Sequence, residues 1–229
     1  MEWSEDFASE ASSRFVECIR RDDANFIKLR GIYRFNTSIE GTEYKDEFDI
    51  TLIVDKTYKL KIPLLVLLRS AVPKGFEHVN PSGECCLGTA HEILSIWGES
   101  KDTGRFFEYV IDPYLANIIS FRRTGECATR ERAHGYDGLK CYYSNLLNMT
   151  PDEADITLKY VFNRIGKEVE VRGHDACPCG SGKKLRGCHF KTVKVFIEGL
   201  NANKFLREGF IQDMAGMMEN ERRKRGKKV

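Results

Sequence analysis

The 229-residue chain has no run of about 18 apolar residues, the length that a membrane-crossing helix needs. It also lacks a basic-then-apolar opening: the start, MEWSEDF, is acidic, and no signal peptide is expected. Internal repeats are absent. A charge excess of one sign is missing too, since Lys+Arg 36 against Asp+Glu 34 leaves +2. Six of the positive charges (Arg222, Arg223, Lys224, Arg225, Lys227 and Lys228) sit at the C-terminal end, and without them the balance becomes −4. A slightly acidic body argues against nucleic acid as a partner, and only the basic tail could play that part.

Against those absences, hydrophobic residues at 41% and charged residues at 31% are enough to bury a real core and keep a wetted surface. The length suits one sizeable domain with a small accessory module. Eight cysteines in a chain expected to have no export signal point to thiol chemistry or metal instead of a disulfide framework, and to the cytoplasm. Cys177, Cys179 and Cys188 cluster with His189, and Cys85 and Cys86 are adjacent. Cys18, Cys127 and Cys141 are scattered.

Periodicity gives an α+β order. Ala8, Ala11, Phe15 and Ile19 follow helical spacing and predict one amphipathic helix over residues 5–29. Three strand-like runs follow, at Gly31–Ile39, Glu47–Asp55 and Leu60–Leu68, with Asp55-Lys56-Thr57 as the short polar turn of a hairpin. Together they suggest a β-meander packed on the helix. The stretch from Val72 to Thr89 has no clean period, yet it holds apolar residues and both paired cysteines, as functional loops do.

Helices are expected after it. Thr89 and Glu92 suggest a capping box ahead of Ile93, Leu94 and Trp97. Phe107, Val110, Ile111, Tyr114, Leu115 and Ile118 form a stripe, which Asp112-Pro113 should kink or restart with Asp112 as cap. Thr150-Pro151-Asp152-Glu153 is a second capping box, with Gly166 ending its helix. The composition changes near Glu168–Gly173. The expected organisation is thus a domain over 1–168, a knuckle over 172–190, and a helical segment with a basic tail over 191–229. The tail is either a helix terminus whose charges complement the macrodipole or a docking arm.

Cys177-Pro-Cys179-Gly-Ser-Gly-Lys-Lys-Leu-Arg-Gly-Cys188-His189 supplies three thiolates and an imidazole within 13 residues. Zinc takes four such ligands tetrahedrally, and a closed set leaves no place for water or substrate, so the metal is structural. The glycines permit the turns that join the ligand pairs. With so little apolar material, the segment depends on metal to hold its fold. Gly-Ser-Gly-Lys-Lys is not a phosphate loop, because no Ser or Thr follows Lys183 and the first glycine of that motif would fall on Cys177. The string CPCGSGKKLRGCH resembles the SEC-C motif, the zinc knuckle at the end of bacterial secretion ATPases. The resemblance implies structural zinc and a protein-docking role.

The other informative stretch is His78-Val-Asn80-Pro-Ser-Gly83-Glu-Cys85-Cys86-Leu87-Gly88. A loop cysteine with an asparagine and a histidine before it can serve as a nucleophile, while a small core residue is the ordinary fate of a free cysteine. Helix, meander, irregular loop and helices in this order, with His-x-Asn ahead of Gly-x-Cys-Cys-Leu, resemble the ubiquitin-conjugating enzymes, and in particular their prokaryotic branch. Arg122-Arg123-Thr124-Gly125-Glu126 and Arg132-Ala-His134-Gly-Tyr-Asp-Gly138 are similar to that branch as well. Val79 stands where the family has proline, and the Asn-to-Cys gap is shorter than usual.

The resemblance implies Cys86 as the thioester-forming nucleophile, with Cys85 as the alternative. It implies Asn80 as oxyanion donor and His78 as a structural histidine. Asp112 or Asp102 are candidates for the acid beside the incoming lysine, and His134 for a second polar site. The implied partners are a protein acyl donor, such as a cGAS-like nucleotidyltransferase or a ubiquitin-like protein, and a lysine-bearing acceptor. The implied setting is bacterial antiphage signalling of the CBASS type. No adenylating domain is visible, so another protein would activate the donor. A non-catalytic adaptor on the same fold is the alternative, and a cysteine hydrolase is disfavoured because His78 lies in the same loop as Cys86.

Overall fold

The computed structural model describes residues 3–58, 60–98, 102–129, 135–167 and 170–226, the last seven of these in backbone only. Two compact units emerge, one of residues 1–88 with 96–131 and one of residues 89–95 with 132–229. Packing therefore groups the helices after residue 135 with the cysteine–histidine segment, and the division falls elsewhere than the composition change at 168–173 suggests. No described helix is long and apolar enough to cross a membrane.

In the first unit, α1 (Trp3–Ser12) buries Phe7, Ala8 and Ala11 and then stops. The Ser12 and Ser13 hydroxyls donate back to the carbonyls of Ser9 and Glu10, each at 2.7 Å, which favours a terminus over continuation. The helix expected to run to residue 29 thus ends at Ser12, after 10 residues. Phe15–Asp22 is instead β1, an edge strand with Ile19 exposed. Phe15 and Ile19 fit a helical stripe in sequence, but pairing with the next strand decides their state.

β2 (Phe26–Ile39) and β3 (Thr42–Asp55) form a long hairpin whose turn is Glu40-Gly41. Both turn residues have positive φ, 50° and 81°, as a two-residue hairpin turn requires. Alternation puts Ile27, Leu29, Tyr33 and Phe35 of β2 and Phe48, Ile50, Leu52 and Val54 of β3 on the buried face. The other face is polar, with Arg34 paired across the strands to Glu47 at 3.0 Å. β4 (Leu64–Leu67) pairs antiparallel with β3 and completes a four-stranded meander in the order β1-β2-β3-β4. The β3–β4 connection runs from Lys56 to Pro63, so Asp55-Lys56-Thr57 is not a tight hairpin turn. Asp55 instead accepts from the Thr57 and Tyr58 amides and folds the start of that loop.

The helices on the buried face begin with α2 (Ala90–Trp97), whose Trp97 packs against Phe7 and Phe106. Asp102 caps α3 (Thr103–Phe106) by accepting from the Gly104 and Arg105 amides. A π turn at Phe107–Ile111 leads into α4 (Asp112–Thr124). The stripe from Phe107 to Ile118 is buried as expected, but Asp112 does not cap a helix. It is helical itself, and the π turn accommodates the amide that Pro113 lacks. Its carboxylate accepts from Tyr33 Oη at 2.6 Å, joining helix to sheet.

The second unit contains α5 (Gly135–Leu147), α6 (Pro151–Phe162), α7 (Phe190–Ala202) and α8 (Lys204–Gly226). The capping box at Thr150 and Glu153 is complete, and Gly166 closes the segment at φ 69°. Tyr143, Leu158, Val161, Leu185, Val193 and Phe210 lie in one continuous core. Buried Asp213 of α8 accepts from the Ala90 and His91 amides at 2.7 and 3.1 Å and from Tyr143 Oη at 2.7 Å. That carboxylate therefore holds the N-terminus of α2 within this unit.

Candidate functional site

The segment after β4 first makes a short 3₁₀ turn at Arg69–Ala71 and then returns to the sheet. Gly83 O accepts from the Leu67 amide at 2.9 Å, and the Cys85 amide donates to Leu65 O at 2.8 Å, so residues 83–85 lie along β4 as a short added strand. A tight turn, closed by the Gly83 amide on Asn80 O at 2.9 Å, brings residues 78–80 alongside in turn. Asn80 N donates to Glu84 O at 2.8 Å and Cys86 N to His78 O at 2.9 Å, on either side of the Val79–Cys85 bridge.

Gly83 is required where it stands. Its φ is +87°, and a Cβ there would lie 2.4 Å from Leu67 O.

This pairing sorts the side chains. Alternation turns Val79 and Cys85 to the buried side with Leu65 and Leu67, and turns His78, Asn80, Glu84 and Cys86 to the opposite side. Cys86 and Asn80 are exposed, and His78 and Glu84 are half-buried. Cys86 and His78 are direct cross-strand neighbours, as are Glu84 and Asn80, and such pairs bring Cβ atoms to roughly 5 Å. From α4, Tyr114 Oη donates to His78 O at 2.7 Å and pins the turn from beneath.

The two cysteines differ in environment. Burial pushes the Cys85 thiol up to about 12, partly offset by the Tyr114 hydroxyl, and its Sγ donates to Gly83 O at 3.7 Å. Cys86 is open to solvent on one side and crowded on the others. Desolvation raises its thiol above the usual value, opposed by a hydrogen bond from the Gly88 amide. Of the two, Cys86 is the more exposed thiol.

Other sequence candidates lie apart from this face. Asp112 is committed to Tyr33, and burial pushes its carboxyl up to about 6. Asp102 is committed to capping α3. His134 lies outside the described residues. Glu84, Tyr114 and the β4 edge were not singled out by the sequence. Glu84 sits two residues from Cys86, but only the bridge to Val66 reveals which way it faces.

The second site is the cysteine–histidine cluster. The Cys177 amide donates to Lys183 O at 2.8 Å in a small hairpin bridged at Ala176 and Lys184, with Gly180 and Gly182 at positive φ in its turn. Fully buried Leu185 anchors this hairpin in the core, the one strong apolar contact of a largely polar segment. A 3₁₀ turn at Leu185–Gly187 then delivers Cys188, and His189 precedes α7 as its cap residue.

The four ligand atoms lie within 4.8 Å of one another. Cys177 Sγ is 3.5 Å and Cys188 Sγ 3.3 Å from His189 Nδ1, and Cys179 Sγ is 3.6 Å from Cys188 Sγ. A tetrahedral ion bonded at roughly 2.0 Å to nitrogen and 2.3 Å to sulfur needs edges of roughly 3.5–3.8 Å, and the three short distances lie close to that range. The cluster can therefore hold a metal ion. Cys177 and Cys179 are buried, and an ion held by all four donors would have no open position for substrate.

Comparison with protein-family models, with curated proteins and with solved structures returns no match.

Proposed function

We propose that this protein is an acyl-transfer enzyme of the ubiquitin-conjugating type, working through a thioester on Cys86. The observation that carries the reading is the paired turn at the sheet edge. It exposes Cys86 on one face with Asn80 and Glu84, while Cys85 is turned inward. The resemblance of the His78–Gly88 stretch to the conjugating enzymes supplies the class of chemistry.

In this reading the Cys86 sulfur attacks the carbonyl carbon of an activated protein C-terminus and expels the activating group, leaving a thioester. A lysine amine then attacks the same carbon. The Asn80 amide donates a hydrogen bond to the oxyanion, an effect of about 3 kcal/mol for one well-placed donor. The C–S bond breaks, Cys86 leaves as thiolate, and the new C–N bond is an amide. Glu84 takes the proton that the amine loses, the role for which neither Asp112 nor Asp102 is placed. The donor would be a cGAS-like nucleotidyltransferase or a ubiquitin-like protein, activated elsewhere, in bacterial antiviral signalling in the cytoplasm.

The Cys177, Cys179, Cys188 and His189 set would hold zinc, as its resemblance to the SEC-C motif implies. Three thiolates and an imidazole favour zinc over harder cations, and a closed set gives it a structural role. The knuckle would then dock a partner protein and take no part in the transfer.

A second reading, a non-catalytic adaptor that binds the same partner, has one observation in its favour. Desolvation raises the Cys86 thiol, the opposite of what an activated thiolate requires. Co-expression with the proteins encoded beside it, followed by intact-protein mass with and without thiol reductant, separates the two. Only the transferase gives a reductant-sensitive adduct.

A further inference from the structure

The outer face of the sheet changes character toward Cys86. Arg30 and Arg34 of β2 each meet a carboxylate of β3, Asp49 at 2.7 Å and Glu47 at 3.0 Å. Lys28, on the same face, has apolar Ile53 opposite it on β3 and cationic Arg21 opposite it on β1. Like charges directly opposite each other weaken a sheet, so folding alone does not account for this pair. The Asp23 carboxylate, within the field of Lys28, already accepts from the Asn25 and Phe26 amides, each at 2.8 Å.

Register carries this row on to the thiol. Ile53 pairs with Leu64 of β4. Val66 pairs with Glu84, and Leu65 O accepts from the Cys85 amide, so the next position on that face sets Leu64 opposite Cys86. One line across the strands thus reads Arg21, Lys28, Ile53, Leu64, Cys86: two cations, two apolar side chains and the exposed thiol. Leu64 is 39% exposed, and Ile53 is half-buried. Strands lie roughly 4.8 Å apart, which puts Lys28 about 14 Å and Arg21 about 19 Å from Cys86 along the line.

An extended peptide advances roughly 3.4 Å per residue and turns alternate side chains to one face. With its last residue at Cys86, its third residue from the end lies about 7 Å away, between Leu64 and Ile53. Its fifth lies about 14 Å away, over Lys28. The row and the peptide share one spacing.

Granted the reading of Cys86 as an acyl-carrying thiol, we infer that its donor ends in an extended tail with an apolar residue third from the end and an acidic residue fifth. Leu64 and Ile53 take the apolar side chain, and Lys28 with Arg21 takes the carboxylate. The tail crosses the strands on this row. Glu84 and Asn80, on the neighbouring row, stay open to the incoming lysine.

The test uses the full chain and synthetic pentapeptide thioesters of mercaptoethanesulfonate. One is Glu-Ser-Leu-Ser-Gly, and two others carry lysine in first place or serine in third. Transfer to Cys86 is read by intact mass and tryptic mapping. The acidic peptide should load about tenfold faster than the lysine peptide, because two cations attract one and repel the other. That preference should shrink in about 1 M salt. The peptide with serine in third place should load severalfold more slowly than its leucine parent.

Lys28→Glu should abolish the charge preference, and Arg21→Glu with Lys28→Glu should reverse it. Both positions are exposed, so the thermal midpoint should hold. Leu64→Ser should abolish the apolar preference. A second readout needs no transfer: the free acidic peptide should shield Cys86 from iodoacetamide better than the lysine peptide. Equal loading of the three peptides, or a charge preference that survives in the double variant, would overturn the inference. Shielding in the expected order with no loading would sink the transferase reading alone, and equal shielding with no loading would sink both.

Discussion

Cys86 and His78 face each other across a single turn, joined by the Cys86 amide donating to His78 O at 2.9 Å. The bond fixes the backbone on which the thiol stands, and Tyr114 fixes the same carbonyl from the other side at 2.7 Å. The exposed thiol is thus mounted on the sheet and not on a free loop.

That mounting depends on Gly83. Gly83→Ala puts a methyl group 2.4 Å from Leu67 O at a φ of +87°. The substitution should destabilise the chain by about 2–3 kcal/mol and loosen the turn. Chemical denaturation measures the first effect. Faster alkylation of the half-buried Cys85 measures the second, and an unchanged Cys85 rate would contradict it.

Glu84→Gln should leave Cys86 loading intact and slow discharge of the loaded acyl group to lysine by roughly 10- to 100-fold. Discharge to hydroxylamine, which is already neutral at pH 7, should not change. Single-turnover discharge followed by non-reducing gel gives both rates, and equal slowing of the two would mean that Glu84 only supports the turn.

The meander and the metal cluster were legible in the sequence because both are local signals. Strand alternation in β2 and β3 shows in neighbouring residues, and all four metal ligands fall between Cys177 and His189. The face on which Cys86 stands was not legible, because it depends on hydrogen bonds to Leu65 and Leu67 across an irregular return. β1 is not legible because Phe15 and Ile19 are four residues apart, as in a helix stripe, while the register shift between Val16 and Ile19 leaves one buried and the other exposed and so breaks the strand's period. His91 drew no notice because its backbone partner, Asp213, lies 122 residues away.

At the cysteine–histidine cluster, elemental analysis of protein purified without added metal should find one zinc per chain. Cys188→Ala should remove the zinc and lower the stability of the second unit by on the order of several kcal/mol. A metal-free chain that melts at the same temperature would contradict the structural role.

His91 gives the second unit a pH dependence with a defined sign. Burial lowers its pKa to about 4 from the ordinary 6.5. The folded state then refuses a proton that the unfolded chain accepts, so its contribution to stability is present above pH 6.5 and lost as pH falls toward 4. Asp213, held up at about 6 by burial, acts oppositely in part of that window, so the comparison needed is wild type against His91→Gln. The difference should grow to on the order of 3 kcal/mol in favour of the variant between pH 7 and pH 4. Parallel pH curves would show that His91 is not the group responsible.

The most direct measurement of the central claim is the intact mass of the chain co-expressed with its neighbouring proteins, for wild type, Cys86→Ser and Cys86→Ala. The account predicts a reductant-sensitive adduct on wild type, a reductant-resistant ester on Cys86→Ser and no adduct on Cys86→Ala. An adduct that persists on Cys86→Ala, or none on any form with the donor protein present, would contradict it.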